Sequence, residues 1–83
     1  MIVQLRFFAS LRERLKVSAA TRTVADGATI ADLWAALCSE RPDLEPLSKS
    51  ISFAVNREYV ERDHILADGD EVALIPPVSG GMK

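Results

Sequence analysis

The chain has 83 residues, of which 48% are hydrophobic and 27% charged, with a formal net charge of −2 and a single cysteine. This composition fits one small domain with one core, and it argues against intrinsic disorder and direct nucleic-acid binding. With no internal disulfide, no apolar run of about 20 residues and no signal peptide, we expect a cytoplasmic protein that does not contact membranes.

The first half of the chain predicts two strands and one main helix. Residues 2–8 alternate between apolar and polar faces, which is typical of a half-buried strand. Residues 10–13, Ser-Leu-Arg-Glu, have the pattern of a capping box and predict a short helical turn. Residues 21–24 are rich in β-branched side chains and predict a second strand. Thr29 is a good N-cap for an amphipathic helix that we expect to end near Pro42.

The second half predicts the rest of a mixed sheet. Residues 43–49 leave a loop and a short helical turn open as alternatives, whereas residues 51–55 alternate like a strand. Asn56-Arg57 predicts a tight turn into a short strand at 58–60. A turn at Asp68-Gly69 precedes a last strand at 72–75. The resulting order is β, β, α, β, short β, β, in which one helix covers one face of the sheet.

Strand alternation also predicts an apolar cluster on the uncovered face. If Phe7 faces the helix, Phe8 lies on the open face, and the same argument applies to Leu74 and Ile75. Tyr59 is expected to join Phe8 and Ile75 there. Because exposed apolar clusters mark interaction sites, we interpret these three residues as a partner-docking surface.

The remaining reactive residues indicate no active site of the chain's own. Cys38 lies at the edge of the helical apolar stripe and is predicted to be a buried thiol. His64 is the only histidine, so a zinc cluster or a triad needing a second histidine is excluded, and we expect a loop hydrogen bond instead. Asp68, Asp70 and Glu71 fit turn chemistry better than a metal site. We therefore expect no metal, no bound cofactor and no self-sufficient enzyme.

The C-terminal tail is the most informative segment. Pro76 and Pro77 lack amide protons, so they end sheet pairing and direct the chain outward. Gly80 and Gly81 have no Cβ and can enter a narrow channel, and residues 78–81 reach roughly 13 Å. Two interpretations are open: a frayed terminus, or a tail delivered into the active site of another protein.

Residues 68–81, DGDEVALIPPVSGG, resemble the C-terminus of the small subunit of molybdopterin synthase, the MoaD-type, ubiquitin-like sulfur carriers. The resemblance extends to Phe7-Phe8-Ala9 near the start and to Ala54-Val55-Asn56 in the middle. It implies an α+β fold of the β-grasp type, with about five strands and with the first and last strands side by side. It also divides the chain into a domain at residues 1–78 and a flexible tail at residues 79–83.

The resemblance implies a function for the tail. An E1-like enzyme would use ATP to adenylate Gly81, a sulfurtransferase would convert it to a thiocarboxylate, and the tail would enter the large synthase subunit. There the sulfur would pass to cyclic pyranopterin monophosphate, within a heterotetramer to which this chain contributes a sulfur-donating, non-catalytic subunit. The residues implied to thread or aim the tail are Gly80, Ser79, Val78, Pro77 and Pro76.

Met82 and Lys83 depart from the family pattern, in which the chain generally ends at the second glycine. We therefore hypothesise that a processing protease removes them before Gly81 is activated. Three alternatives stay open: a ubiquitin-like modifier joined to lysines, a sulfur carrier for another thiolation pathway, and an interaction domain with an inert tail.

Overall fold

The structure, a computed structural model, describes residues 1–77. Its elements are β1 (Ile2–Phe7), α1 (Ala9–Leu15), β2 (Ala19–Thr23), α2 (Ile30–Glu40), a 3₁₀ helix (Pro42–Leu47), β3 (Ser52–Val55), β4 (Glu58–Val60) and β5 (Glu71–Ile75). The element order predicted from the sequence is confirmed, and the open segment at residues 43–49 is mainly helical. Within residues 1–77, no helix is long and apolar enough to cross a membrane.

The strands form one mixed sheet in the order β2-β1-β5-β3-β4. The first and last strands, β1 and β5, are parallel neighbours, and every other pair is antiparallel. This arrangement is the predicted α+β β-grasp fold, which is confirmed. Because Phe7 pairs with Leu74, the chain leaves the sheet beside the C-terminal end of β1.

The core lies between the sheet and α2. Leu5 and Leu74 on the sheet are at most 2% exposed, as is Leu33 on the helix. Trp34 packs edge-on against Phe53, with ring centroids 5.8 Å apart. Alternate strand residues therefore fill one continuous apolar layer beneath the helix, as the period of two requires.

The two helix starts are built differently. At α2 the predicted N-cap is confirmed: the Thr29 hydroxyl accepts from the Asp32 N–H at 3.2 Å, and the Asp32 carboxylate accepts from the Thr29 N–H at 3.0 Å. The predicted capping box at Ser10 is wrong. Ala9 turns the chain immediately after β1 with a φ of 50°, so Ser10 already lies within the helix, and Phe8 is an N-cap without a side-chain hydrogen bond. Burial of Leu11 positions this helix instead.

Strand β2 begins at Ala19, two residues before the predicted start at Thr21. Alanine has a weak preference for strands, so the sequence pattern of Ala19 and Ala20 gave no signal. Pairing across the sheet with Arg6 and Leu5 holds them in the strand.

Candidate docking face and tail exit

The tail leaves from the middle of the sheet. β5 lies between β1 and β3, and its last residue, Ile75, pairs with Ser52 of β3. Pro76, which follows, is buried and Pro77 is exposed. Since neither proline has an amide proton, the sheet ladder cannot continue, and the chain is released at this point. The predicted threading residues at 78–80 and the predicted reactive Gly81 lie outside the described residues.

The three predicted docking residues lie together on the open face. Phe8, Tyr59 and Ile75 line one shallow depression of about 300 Å³. Tyr59 is 74% exposed and Phe8 is 41% exposed, values far above those of the core. We call this surface the docking face; its binding role stays a prediction.

Strand register explains the shape of the docking face. Ala54 pairs with Ala73 on one side and with Tyr59 on the other, so three adjacent strands contribute to one row. The two alanines form a low floor, and the larger side chains of Phe8, Tyr59 and Ile75 stand around it. A depression floored by methyl groups and bordered by aromatic and aliphatic side chains suits an apolar partner residue.

Charged residues that were not predicted to belong to the docking face form part of its rim. Arg6 donates a hydrogen bond to Glu71 at 3.2 Å, and Arg57 lines the opposite part of the depression. Asn56 and Arg57 have φ values of 52° and 73°, which confirms the predicted tight turn and fits the hairpin type that requires two positive φ values. Alternation along β1 could have revealed Arg6, because it lies two residues before Phe8.

The acidic residues near the start of β5 have structural partners. Asp70 is 9% exposed; one carboxylate oxygen accepts from Asn56 Nδ2 at 3.0 Å and the other from the Ala67 N–H at 2.8 Å. Asn56 Oδ1 in turn accepts from the Glu71 N–H at 3.1 Å. Asp68 accepts from the Ile2 N–H at 2.7 Å. These bonds tie the start of β5 to β1 and to the turn between β3 and β4.

Cys38 and His64 lie away from the docking face. Cys38 is buried, as predicted, and burial, reinforced by the nearby Glu45, raises the pKa of its thiol. The thiol is therefore a poor nucleophile at neutral pH. His64 forms loop hydrogen bonds through its backbone, whose N–H donates to the Glu61 carbonyl at 3.1 Å and whose carbonyl accepts from the Ile30 N–H at 3.0 Å; a bond from its side chain stays a prediction.

Comparison with known proteins decides the family. The model of the ThiS family matches residues 5–81. The chain belongs to the ThiS family. This ThiS-family chain is 42% identical over 83 residues to the molybdopterin synthase sulfur carrier subunit of Chlamydomonas reinhardtii, covering 98% of this chain and 100% of that protein. The predicted resemblance to sulfur carriers is confirmed.

Solved structures agree with the ThiS-family assignment. SAMP1 from Haloferax volcanii has a TM-score of 0.82 and 31% identity, covering 98% of this chain and all of that one (100%). A chain from the protein–protein complex of subunits 1 and 2 of the molybdopterin-converting factor from Helicobacter pylori has a TM-score of 0.67 and 28% identity, covering 98% and 100% of the two chains.

Proposed function

We propose that this chain is the sulfur carrier subunit of a molybdopterin synthase. The observation that carries the proposal is its similarity, over nearly its whole length, to a protein of that name. The fold supports it, because β5 ends at Ile75, which itself lines the exposed apolar docking face. A carrier needs this combination, since the partner must hold the domain while the tail enters its active site.

Gly81 is the proposed site of chemistry. A carboxylate is a poor electrophile, so its oxygen first attacks the α-phosphate of ATP and releases pyrophosphate to form an acyl adenylate. Sulfur at the oxidation level of hydrogen sulfide, delivered by the donor, then attacks the acyl carbon, AMP leaves, and loss of the sulfur's proton gives a C-terminal thiocarboxylate, whose sulfur is a strong nucleophile. The adenylating enzyme and the sulfurtransferase supply the catalytic groups, and this chain supplies the acyl group.

The proposed acceptor of the tail is a large synthase subunit. The Helicobacter pylori neighbour comes from a complex of subunits 1 and 2 of the converting factor, which supports an equivalent pairing here. In this proposal Phe8, Tyr59 and Ile75 pack against an apolar surface of the large subunit. Pro76 and Pro77 direct the tail into the active site of that subunit. Sulfur then passes to cyclic pyranopterin monophosphate.

Met82 and Lys83 must be removed before Gly81 can be adenylated, because only the terminal residue of a chain carries a free α-carboxylate. The match to the family model ends at residue 81, which supports trimming at that position. Intact-mass measurement of the sulfur-loaded protein from its native cells tests this step. Retention of Met82 and Lys83 on that form would rule it out.

Reconstitution tests the function directly. Protein ending at Gly81 is incubated with an adenylating enzyme, ATP and a sulfur donor, and the mass increase for replacing one oxygen by sulfur is measured. The loaded protein, mixed with a large subunit, should then convert cyclic pyranopterin monophosphate to molybdopterin. Protein ending at Gly80, whose tail is one residue shorter, is the control for tail length. We expect its sulfur transfer to be strongly reduced.

Two outcomes would contradict the proposal. Failure of the mature protein to gain sulfur would exclude a carrier role. Appearance of isopeptide-linked conjugates through Gly81, without pterin conversion, would identify a protein modifier instead.

A further inference from the structure

A second surface lies between β2 and α2, on the helix side of the sheet. It is an open groove of about 360 Å³ whose apolar lining includes Val24, Leu33 and Ala36. None of the residues lining the groove also lines the docking face. We call it the β2–α2 groove.

The groove runs beside an unpaired strand edge. β2 is the outermost strand on this side of the sheet and pairs only with β1 among residues 1–77. Val24 and Met1 exchange backbone hydrogen bonds at 2.8 and 3.0 Å, and the Phe7 N–H donates to Ser18 at 3.0 Å. In an antiparallel pair such bonds fall on every second residue. The N–H and C=O groups of Thr21 and Thr23 therefore point away from β1, toward the free edge.

Thr23 belongs both to the free edge of β2 and to the lining of the groove. It pairs with Ile2, which is 54% exposed on the open face, so the Thr23 side chain also lies on that face. Thr23 nevertheless lines the β2–α2 groove on the helix side. Thr23 must therefore border the groove through its backbone. A ligand in the groove would meet the backbone N–H and C=O groups of Thr23 together with the apolar side chains of the lining.

The charges around the groove are unequal at its two ends. At one end Arg22 forms an ion pair with Glu40, which neutralises both. At the other end Asp26 is 94% exposed on its side chain, and its only cation within 4.0 Å in residues 1–77 is the Met1 ammonium, at 3.8 Å. Asp32 also lines the groove and adds a second carboxylate, although it caps the helix as well. A basic side chain is complementary to this end.

We propose that the β2–α2 groove binds an extended segment of a partner protein, which adds to β2 as a further strand. The backbone of that segment bonds to Thr21 and Thr23, an aliphatic side chain enters the space beside Leu33 and Ala36, and a basic side chain faces Asp26. This mode of recognition uses main-chain hydrogen bonds for affinity and alternate side chains for specificity.

The groove can be occupied while the tail is engaged elsewhere. The pair of Ile2 and Thr23 lies at the start of β1, whereas the tail leaves beside Phe7, at the other end of that strand. The proposed segment therefore does not compete with a partner on the docking face.

The test uses the end-blocked peptide KVIVK, in which one isoleucine and two lysines share a face. We expect saturable NMR shifts and slowed hydrogen exchange at the Thr21 and Thr23 amides. The same peptide N-methylated at its strand-facing amides should bind at least about tenfold more weakly, because it cannot complete the added strand. The acidic peptide EVIVE should bind about threefold more weakly, as expected for exposed charge pairs. Neither comparison requires a variant of the protein.

A matched pair of variants locates the site. Ala36→Leu fills the groove and should abolish the shifts, whereas Ala35→Leu, one residue earlier on the exposed side of α2, should leave them unchanged. Tyr59→Ala should also leave them unchanged. Shifts centred on the docking face, equal effects of the two leucine variants, or equal binding of the methylated peptide would overturn the proposal. Protection of the Thr21 and Thr23 amides that rises with protein concentration, without peptide, would place a second copy there instead and also overturn it.

Discussion

The two faces of the sheet are built from alternate residues of the same strands, yet one is covered by α2 and the other is open. Leu74, beneath α2, is fully buried, whereas its neighbours Ala73 and Ile75 face the other way and line the docking face. The covered face is selected for volume and apolarity, because its side chains must fill a closed layer. The open face has no such layer to fill, and its apolar residues are predicted to meet a partner. One position along a strand therefore separates a core residue from a residue of the predicted docking face.

The largest expected effect is on the covered face. Leu74 is fully buried and pairs with Phe7 across the sheet. Leu74→Ala removes most of this side chain and should lower the free energy of unfolding by about 2–5 kcal/mol. Ile75→Ala, one residue later and partly exposed, should cost less than about 1.5 kcal/mol. Urea unfolding of both variants measures the difference. Equal destabilisation would show that the open face is part of the core and would break the comparison.

The docking face should show the reverse pattern, with binding lost and stability kept. In the proposed synthase, Tyr59→Ala should weaken association with the large subunit by about 30-fold, as expected for a central aromatic contact. Ile65→Ala is the matched control, since Ile65 is 64% exposed but does not line the docking face. Calorimetric titration with the large subunit measures both variants. Similar losses for Ile65 and Tyr59 would mean that binding depends on general apolarity and not on the docking face.

The sequence predicted the elements that depend on periodicity and local capping. Alternation identified the strands and placed Phe8, Tyr59 and Ile75 on one face, and the N-cap residue Thr29 marked the start of α2. These signals are local, since a residue and its near neighbours carry them. The pairing of β1 with β5 was expected only from the family resemblance, because it joins segments more than sixty residues apart.

What the sequence did not predict depends on contacts between distant segments. The capping box at Ser10 satisfied a local pattern, but the turn at Ala9 and the burial of Leu11 decided where the helix begins. The partners of Asp70 come from the hairpin turn and from a preceding loop, and the acidic cluster itself gave no sign of them. Side-chain networks of this kind become visible only when the fold brings the segments together.

Asp70, which lies where β5 begins, allows a test of what stabilises the junction between β5 and the turn that joins β3 to β4. Both of its carboxylate oxygens accept hydrogen bonds, so Asp70→Asn places an NH₂ group against a donor and should cost about 1–3 kcal/mol of stability. Asp68→Asn is the control: Asp68 uses one oxygen, for the Ile2 N–H, and an asparagine oxygen can replace it with a loss below about 0.5 kcal/mol. Thermal unfolding of both variants measures the contrast. Equal losses would imply that charge, and not hydrogen-bond geometry, stabilises this junction.

The smallest expected effect concerns the ion pair that closes one end of the β2–α2 groove. The hydrogen bond from Arg22, with its charge, lowers the pKa of Glu40 from its ordinary value of 4.5. A carboxyl group whose pKa is lower in the folded state stabilises the fold above its unfolded pKa. That contribution is present above pH 4.5 and is lost as the pH falls through the folded value. Glu40→Gln should therefore lower the Tm slightly at neutral pH and flatten its decline below pH 4.5.

The control for this titration is Glu13→Gln, because Glu13 forms no ion pair within residues 1–77. Because no ion pair is lost, its Tm at neutral pH should equal that of the wild type. Asp43, whose pKa is lowered chiefly by its hydrogen bond to Arg41, also gives stability that is lost in acid, so Glu40→Gln should reduce the slope without removing it. An unchanged slope in Glu40→Gln would mean that the ion pair adds nothing to folding. The pair would then contribute only to the shape and charge of the groove end, which the peptide measurements assess independently.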